Sequence, residues 1–292
     1  MIKTNFHTHT FRCGHAVGDE QEIVQAAIAA NISKLGFSDH VPLPNFRGFL
    51  LKGLHSVALS PRGLKTLASN FIFNGPGMRM DYASRTIHQD NVRQLKENHA
   101  HQIEIFQGYE AEYFEGYLDY YQELLDNDVD YLILGNHFNS YNSTSCYYGK
   151  EKVNDQELYS YRDDVIKALE TNLFSYLAHP DLFMIGKVVF DDVAREITYD
   201  ICKKAKELNI PLEINGGGIR RGKREVLGRY EYPYPSSHFF AIAGEVGNDI
   251  ILGIDAHAPD ELNHGIYEEM LEFASRFDLN IVTEFEFRKG QR

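Results

Sequence analysis

The sequence predicts an α/β barrel, and three observations carry that prediction. Short apolar, β-rich runs alternate with amphipathic stretches of helical period along the chain. Seven or more such units in one chain suggest a barrel. Histidines and carboxylates gather where the apolar runs end, on the face where α/β barrels build their sites. A length of 292 residues with no Pro/Gly/Ser-rich linker or internal repeat fits one domain, 1–292, better than two cores.

The first run, KTNFHTHT at residues 3–10, ends in His7 and His9. Residues i and i+2 of a strand project to one face, so two imidazoles can converge on one ion there. His15 follows in the loop RCGHA, beside Cys13, which shows no partner and reads as a bystander. The stretch 19–32 has helix-period apolar positions and leads into ISKLGFSDH at 32–40, which closes on His40. Asp39 would face the other way and reads as structural. IEIFQGYEAEY at 103–113 carries Glu110, with Glu112 on the same face, and VDYLILGNHF at 129–138 carries His137. FSYLAHPDLF at 174–183 carries His179, and a helix-period stretch at 193–208 follows it. IPLEINGGG at 210–218 is followed by Arg220 and Arg221, NDIILGIDAH at 248–257 ends in Asp255 and His257, and NIVTEFEF at 280–287 is the last run. Residues 41–80 and 139–156 read as long loops, candidates for a lid or a specificity element.

Nine imidazoles and carboxylates at successive strand ends are the donor set of Zn, Mn or Fe, and one carboxylate can bridge two ions. The other histidines, His55, His88, His99, His101, His238 and His264, lie in loops or helical stretches and read as surface or capping residues. His88 and His238 are the two of these to watch as substrate contacts. Arg220 and Arg221, in NGGGIRRG, are candidates to hold a phosphate, with an ordinary basic turn as the alternative; Arg79 and Lys187 are weaker candidates. Glu112 would serve as an outer acceptor or bind a substrate ammonium. Tyr141, Tyr147, Tyr148 and Tyr159 offer flat amphipathic rings to a substrate ring.

Composition limits the partners. Hydrophobic residues at 43% and charged residues at 24% are globular values and exclude a disordered chain. A net charge of −13 repels a phosphate backbone, so nucleic acid is not an expected partner. No apolar run approaches the length of a membrane span, the start MIKTNFHTHT lacks an apolar signal region, and three scattered cysteines fit a reducing cytoplasm.

In their order, H-x-H, a later H, S-D-H, G-x-E, N-H-F, H-P and D-x-H resemble the motifs of the PHP (polymerase and histidinol phosphatase) family, and DAHAP is most similar to its histidinol-phosphatase branch. The resemblance implies a distorted (β/α)7 barrel with a metal site at the C-terminal face of the strands, holding two to three divalent ions (Zn, Mn or Fe). By that resemblance the first ion takes His7, His9, Glu110 and Asp255. The second takes Glu110, His137 and His179, and the third His15, His40 and His257. The chemistry falls to Glu110, Asp255 and His257. The implied activity is metal-dependent hydrolysis of a phosphomonoester by a metal-bridging hydroxide, with L-histidinol phosphate as substrate. Another small phosphate, such as a nucleotide or sugar phosphate, is the alternative within the enzymes, and a metal-binding accessory module the alternative outside them. GNHF and NGGGIRRG depart from the family's usual residues, so the resemblance specifies the chemistry more closely than the substrate.

Overall fold

The computed structural model of the chain describes residues 3–44, 79–140, 146–149 and 152–290. Most of the expected loop 41–80 lies outside these residues, as do His55 and Tyr141. Four parallel strands, β1 (Thr4–Asn5), β2 (Lys34–Phe37), β3 (Glu104–Ala111) and β4 (Tyr131–Leu134), lie side by side in that order. Next come β5 (Leu212–Asn215), an antiparallel hairpin of β6 (Arg224–Val226) and β7 (Arg229–Glu231), and then β8 (Asp249–Gly253) and β9 (Asn280–Ile281). Strands β5, β8 and β9 form a second parallel group in that order. Single parallel bridges join Leu177 to Leu134 and to Leu212, and Thr8 to Ala256. The result is an α/β fold on a curled parallel sheet.

The period of two within the strands explains the two layers of the core. Ile105, Tyr109 and Ala111 of β3, Leu132 and Leu134 of β4 and Ile250 and Leu252 of β8 pack with the helices in one large cluster. Tyr131, Ile133 and Ile251, on the alternate positions, meet Phe6, Tyr176 and Ala178 in a separate cluster on the other face. Continued along that second face, the alternation reaches Glu110 and Glu112 after Phe106, Gly135 and His137 after Ile133, and Asp255 after Ile251. Apolar filling therefore gives way to ionisable groups toward the C-terminal ends of the strands.

The helices are α1 (Glu20–Ala29), α2 (Arg85–Asn98), α3 (Leu118–Asn127), α4 (Asp155–Glu170), α5 (Asp192–Glu207), α6 (Gly216–Arg220), α7 (Ser237–Val246) and α8 (His264–Ala274). They follow the apolar period read from the sequence. In α5, Ala194, Ile197, Thr198, Ile201, Cys202 and Ala205 are buried, at the spacing of one helical stripe. Capping boxes start α1, through Asp19 and Glu22, and α4, through Asn154 and Glu157.

Three expectations are corrected. FSYLAHPDLF forms no extended strand; it pairs only through Leu177 and then turns into a 3-10 helix at Leu182–Ile185. NIVTEFEF is a strand only at Asn280–Ile281. Phe285 and Phe287 instead fold against Phe6 and Tyr131, with Phe287 stacked on Tyr131 at 4.9 Å, because aromatic burial outweighs further ladder pairing. The glycines after β5 enter α6, whose first turn is capped by Asn215 accepting from Gly218 N at 3.1 Å. No disulfide joins the described cysteines: Cys13 and Cys202 are buried, and Cys146 is half-buried with its thiol on Glu157. No helix among the described residues is long and apolar enough to cross a membrane.

Candidate metal centre

Six segments deliver the ionisable groups. Thr8 bridges Ala256, so His7 and His9 flank that bridge and project to the same face as Asp255 and His257. His40 bridges Glu110 directly, and His137 and His179 leave the sheet just beyond β4 and Leu177. Two of these residues sit in the left-handed region that non-glycine residues avoid, His179 at φ 30° and Asp255 at φ 54°. Such backbone strain persists only where surrounding contacts over-determine it.

Glu110 occupies the centre and is 1% exposed. Its Oε1 lies 2.9 Å from His179 Nε2 and 3.6 Å from His137 Nε2. Its Oε2 lies 3.5 Å from His7 Nε2, 3.4 Å from His9 Nε2 and 3.3 Å from His40 Nδ1. Asp255 Oδ1 is 3.4 Å from His7 Nε2 and 3.3 Å from His9 Nε2. His257 Nε2 and His15 Nε2 face each other at 3.0 Å. Each of that pair has its Nδ1 3.0 Å from a backbone carbonyl, Asp255 O and Cys13 O respectively. A carbonyl can only accept, so both Nδ1 atoms carry the proton and both Nε2 lone pairs point at one another.

Burial lowers His7 and His137, but the neighbouring carboxylates outweigh it and raise both above the ordinary imidazole value, a positive charge that a bound cation would replace. Burial raises the Glu110 carboxyl, but His40, His137 and His7 together hold it well below the usual range. Asp255 is likewise raised by burial and lowered further by His7 and His257. Burial lowers His9 and His40, and pushes His15 and His257 down to about 4, so these rings are neutral near pH 7. Neutral imidazoles and ionised carboxylates are what a divalent cation requires. Triads with donor atoms all within 4.8 Å recur here: His7, His9 and Asp255; His7, Glu110 and His179; His9, His40 and Glu110; His40, Glu112 and His137. His7 Nε2 and His40 Nδ1, both aimed at the centre, are buried without a hydrogen-bond partner, a costly arrangement that a cation would relieve. The residues fit divalent ions.

Outside this ring stands a carboxylate that the motif reading missed. Glu213 of β5 is 0% exposed; it accepts from His7 Nδ1 at 2.8 Å and from His179 N at 3.0 Å. Its signal was a single acidic residue inside the otherwise apolar strand Leu212–Asn215. Asp39, read as structural, accepts from Thr10 N at 2.8 Å. Cys13, read as a bystander, lies with His9 and Asp39 in a cluster of three within 4.8 Å, its thiol donating to Thr10 O. Gly135 is needed for space, since a Cβ there would sit 1.9 Å from Glu110 Oε1.

A cavity of about 130 Å³ opens over the centre, walled by Phe138, Tyr147, Tyr234, Arg79, Glu112 and Arg221 among others. Arg221 donates to the Tyr234 hydroxyl at 3.2 Å. Arg220, expected at the phosphate, does not line the cavity. Its guanidinium donates to Ile254 O and Asp255 O at 2.7 and 2.6 Å and pairs with Glu261 at 3.2 Å, bracing the strained backbone at Asp255. Both oxygens of Glu112 accept from Arg79 Nη2, at 2.9 and 3.0 Å, so it is already paired with a cation. Lys187 pairs with Asp155 and Asp191, away from the cavity.

Of the tyrosines, Tyr147 faces the cavity, whereas Tyr148 is buried with its hydroxyl on Asp164, and Tyr159 bonds Glu196 at the surface. His88 is neither a surface residue nor a substrate contact. It is fully buried, with Nδ1 2.7 Å from Glu20 Oε1, because two helices close over it. His238 stacks on Phe190 at 4.9 Å, outside the cavity.

Comparison with known proteins bears on the family and the fold. The chain is 50% identical over 40 residues to the "Probable histidinol-phosphatase" of Deinococcus radiodurans, a match spanning 14% of this chain and 15% of that protein. Among solved structures it is similar to a protein of Listeria monocytogenes provisionally named a histidinol phosphatase, at 19% identity and a TM-score of 0.66, covering 91% of this chain and 99% of the other. It is also similar to the histidinol phosphate phosphatase of Lactococcus lactis, determined with zinc, L-histidinol and phosphate. That match has 14% identity and a TM-score of 0.62, with 99% of each chain covered. At these identities the two structures establish the fold. The family model described as PHP domain matches residues 5–217, most of the chain, and the protein therefore belongs to the PHP family.

Proposed function

We propose that this chain, as a single domain over residues 1–292, is a metal-dependent phosphomonoesterase, and that L-histidinol phosphate is its substrate. The observation that carries the reading is Glu110: one buried carboxylate whose two oxygens serve different imidazoles, His137 and His179 on one side and His7, His9 and His40 on the other. The shape is that of a bridging ligand between two ions. We assign His7, His9, Glu110 and Asp255 to a first ion, Glu110, His137 and His179 to a second, and His15, His40 and His257 to a third. The bridges at Leu177 and between Thr8 and Ala256 support closure of the curled sheet into a seven-stranded barrel, with the ions at its C-terminal face.

When bound, such ions lower the pKa of a coordinated water and screen a phosphoryl group. The protein's own groups do the rest. Arg221, beside Tyr234 at the cavity wall, is placed to pair with a phosphate oxygen. Arg220 keeps Asp255 aimed at the centre. Glu213 holds His7 with its Nδ1 protonated, so that Nε2 presents a lone pair. Phe138 and Tyr147 offer flat apolar faces to a ring on the leaving alcohol.

The Lactococcus lactis structure, which shares the fold and holds L-histidinol and phosphate, supports the choice of substrate. One observation favours a second reading, a small phosphate without a cationic group. Glu112, the candidate partner for an ammonium, already accepts twice from Arg79. Measuring kcat/KM over a panel of phosphorylated metabolites decides between them. L-histidinol phosphate is expected to exceed sugar phosphates and nucleotides by at least about 100-fold, the size of a discrimination resting on one or two polar contacts. A flat profile, or a preferred neutral or anionic leaving group, would overturn the assignment.

A further inference from the structure

Glu213 touches two elements that the reading above assigns to different ions. Its Oε1 accepts from His7 Nδ1 at 2.8 Å, and its Oε2 accepts from His179 N at 3.0 Å. Asn215 Nδ2 donates to the same Oε2 at 2.7 Å, which fixes the carboxylate plane. The group has no water contact, being 0% exposed. Its approach is permitted by Gly253 on the neighbouring strand, where a Cβ would lie 1.7 Å from Oε1. On one side, then, the carboxylate sets the proton position and ring orientation of His7. On the other it holds His179 at φ 30°, a conformation that a non-glycine residue keeps only under constraint.

We propose that Glu213 is a positioning residue that mechanically couples the first and second ion positions, so that they load and empty together. Besides the bond from Asn215, the carboxylate is one rigid plane with an oxygen on each of the two segments. A shift of His179 toward an ion drags Oε2, and the same rotation moves Oε1 and the ring of His7. The inference rests on the reading that His7 and His179 hold ions at separate positions. Substitution E213Q keeps the volume but leaves one acceptor oxygen. Its amide NH2 must then face either His7 Nδ1–H or the His179 N–H, donor against donor, so only one contact survives. E213D keeps the buried charge but is one methylene too short to reach both partners.

The test is a cobalt(II) titration of chelator-stripped protein against a competing chelator, followed by the visible absorption of the bound ion and by metal content. The wild type is expected to take up two ions in one cooperative step. E213Q, and E213D where the amide variant does not fold, are expected to split that step, with one ion bound about 10–100-fold more weakly. Glu110 is common to wild type and variants, so the difference between them reports Glu213 alone. Two independent steps in the wild type would overturn the coupling, as would variants that load like the wild type. Uptake of less than one ion by the wild type would instead overturn the metal reading itself, an outcome visible before any variant is made.

Discussion

At Glu110 one buried carboxylate meets five imidazoles. Glu110→Gln keeps the volume and removes the charge that the surrounding rings stabilise. Turnover is expected to fall by more than about 100-fold, with bound metal lost in parallel and the far-ultraviolet circular dichroism unchanged. Near-normal metal content would show that Glu110 bridges nothing. The two adjacent arginines make a sharper residue-scale contrast, because only one of them faces the cavity. Arg221→Ala is expected to raise KM and the inhibition constant of inorganic phosphate about 10–100-fold, the worth of one or two charged hydrogen bonds, with metal content intact. Arg220→Ala frees the carbonyls of Ile254 and Asp255 and is expected to cost metal instead. Steady-state kinetics alongside metal analysis of both variants separates the roles. Sequence alone could not divide the pair, since RR in a glycine-rich turn does not say which guanidinium turns inward.

Helices α1 and α2 are joined through a buried polar contact, and that contact gives the element scale its own test. Burial raises the Glu20 carboxyl, but hydrogen bonds from His88 and Arg12 outweigh burial and bring it down to about 2. A carboxyl depressed in the folded state contributes stability that is fully present above its unfolded value near 4.5 and is lost as pH falls from there toward 2. Urea unfolding followed between pH 6 and pH 3 is therefore expected to show a decline that Glu20→Gln flattens. At neutral pH the variant is expected to be less stable by about 1–3 kcal/mol. An equal acid decline in both proteins would place the titration elsewhere. Elements of strong period were legible before any coordinates: α1, α5 and strands β2 to β5 and β8 fall where apolar spacing put them. What escaped was decided by contacts far along the chain. Phe285 and Phe287 left the last strand for Phe6 and Tyr131, and His88 went inside because Glu20, sixty-eight residues earlier, waits there. Most of the clustered histidines and carboxylates were readable because each carries its own chemistry where an apolar run ends. Glu213 was not, because a lone acid in a strand acquires meaning only through its partners.

For the whole molecule, the centre and the fold are the same object: its ionisable groups come from both parallel groups of strands, so an ion held there would stitch β1, β3 and β8 with the segments carrying His137 and His179. Without a cation, the buried carboxylates of Glu110 and Asp255 sit close beside the half-buried, facing nitrogens of His15 and His257. Metal that binds only the folded chain stabilises it by mass action, by about 4 kcal/mol at one thousand times its Kd. The most direct test of the central claim is phosphate release from L-histidinol phosphate by chelator-stripped protein as Mn, Zn or Fe(II) is restored, with metal content measured on the same samples. Negligible release is expected from the stripped protein, with recovery that saturates as two to three ions bind per chain. Full activity in the stripped protein, or ions bound in that number without any phosphate release from this or other phosphomonoesters, would contradict the claim.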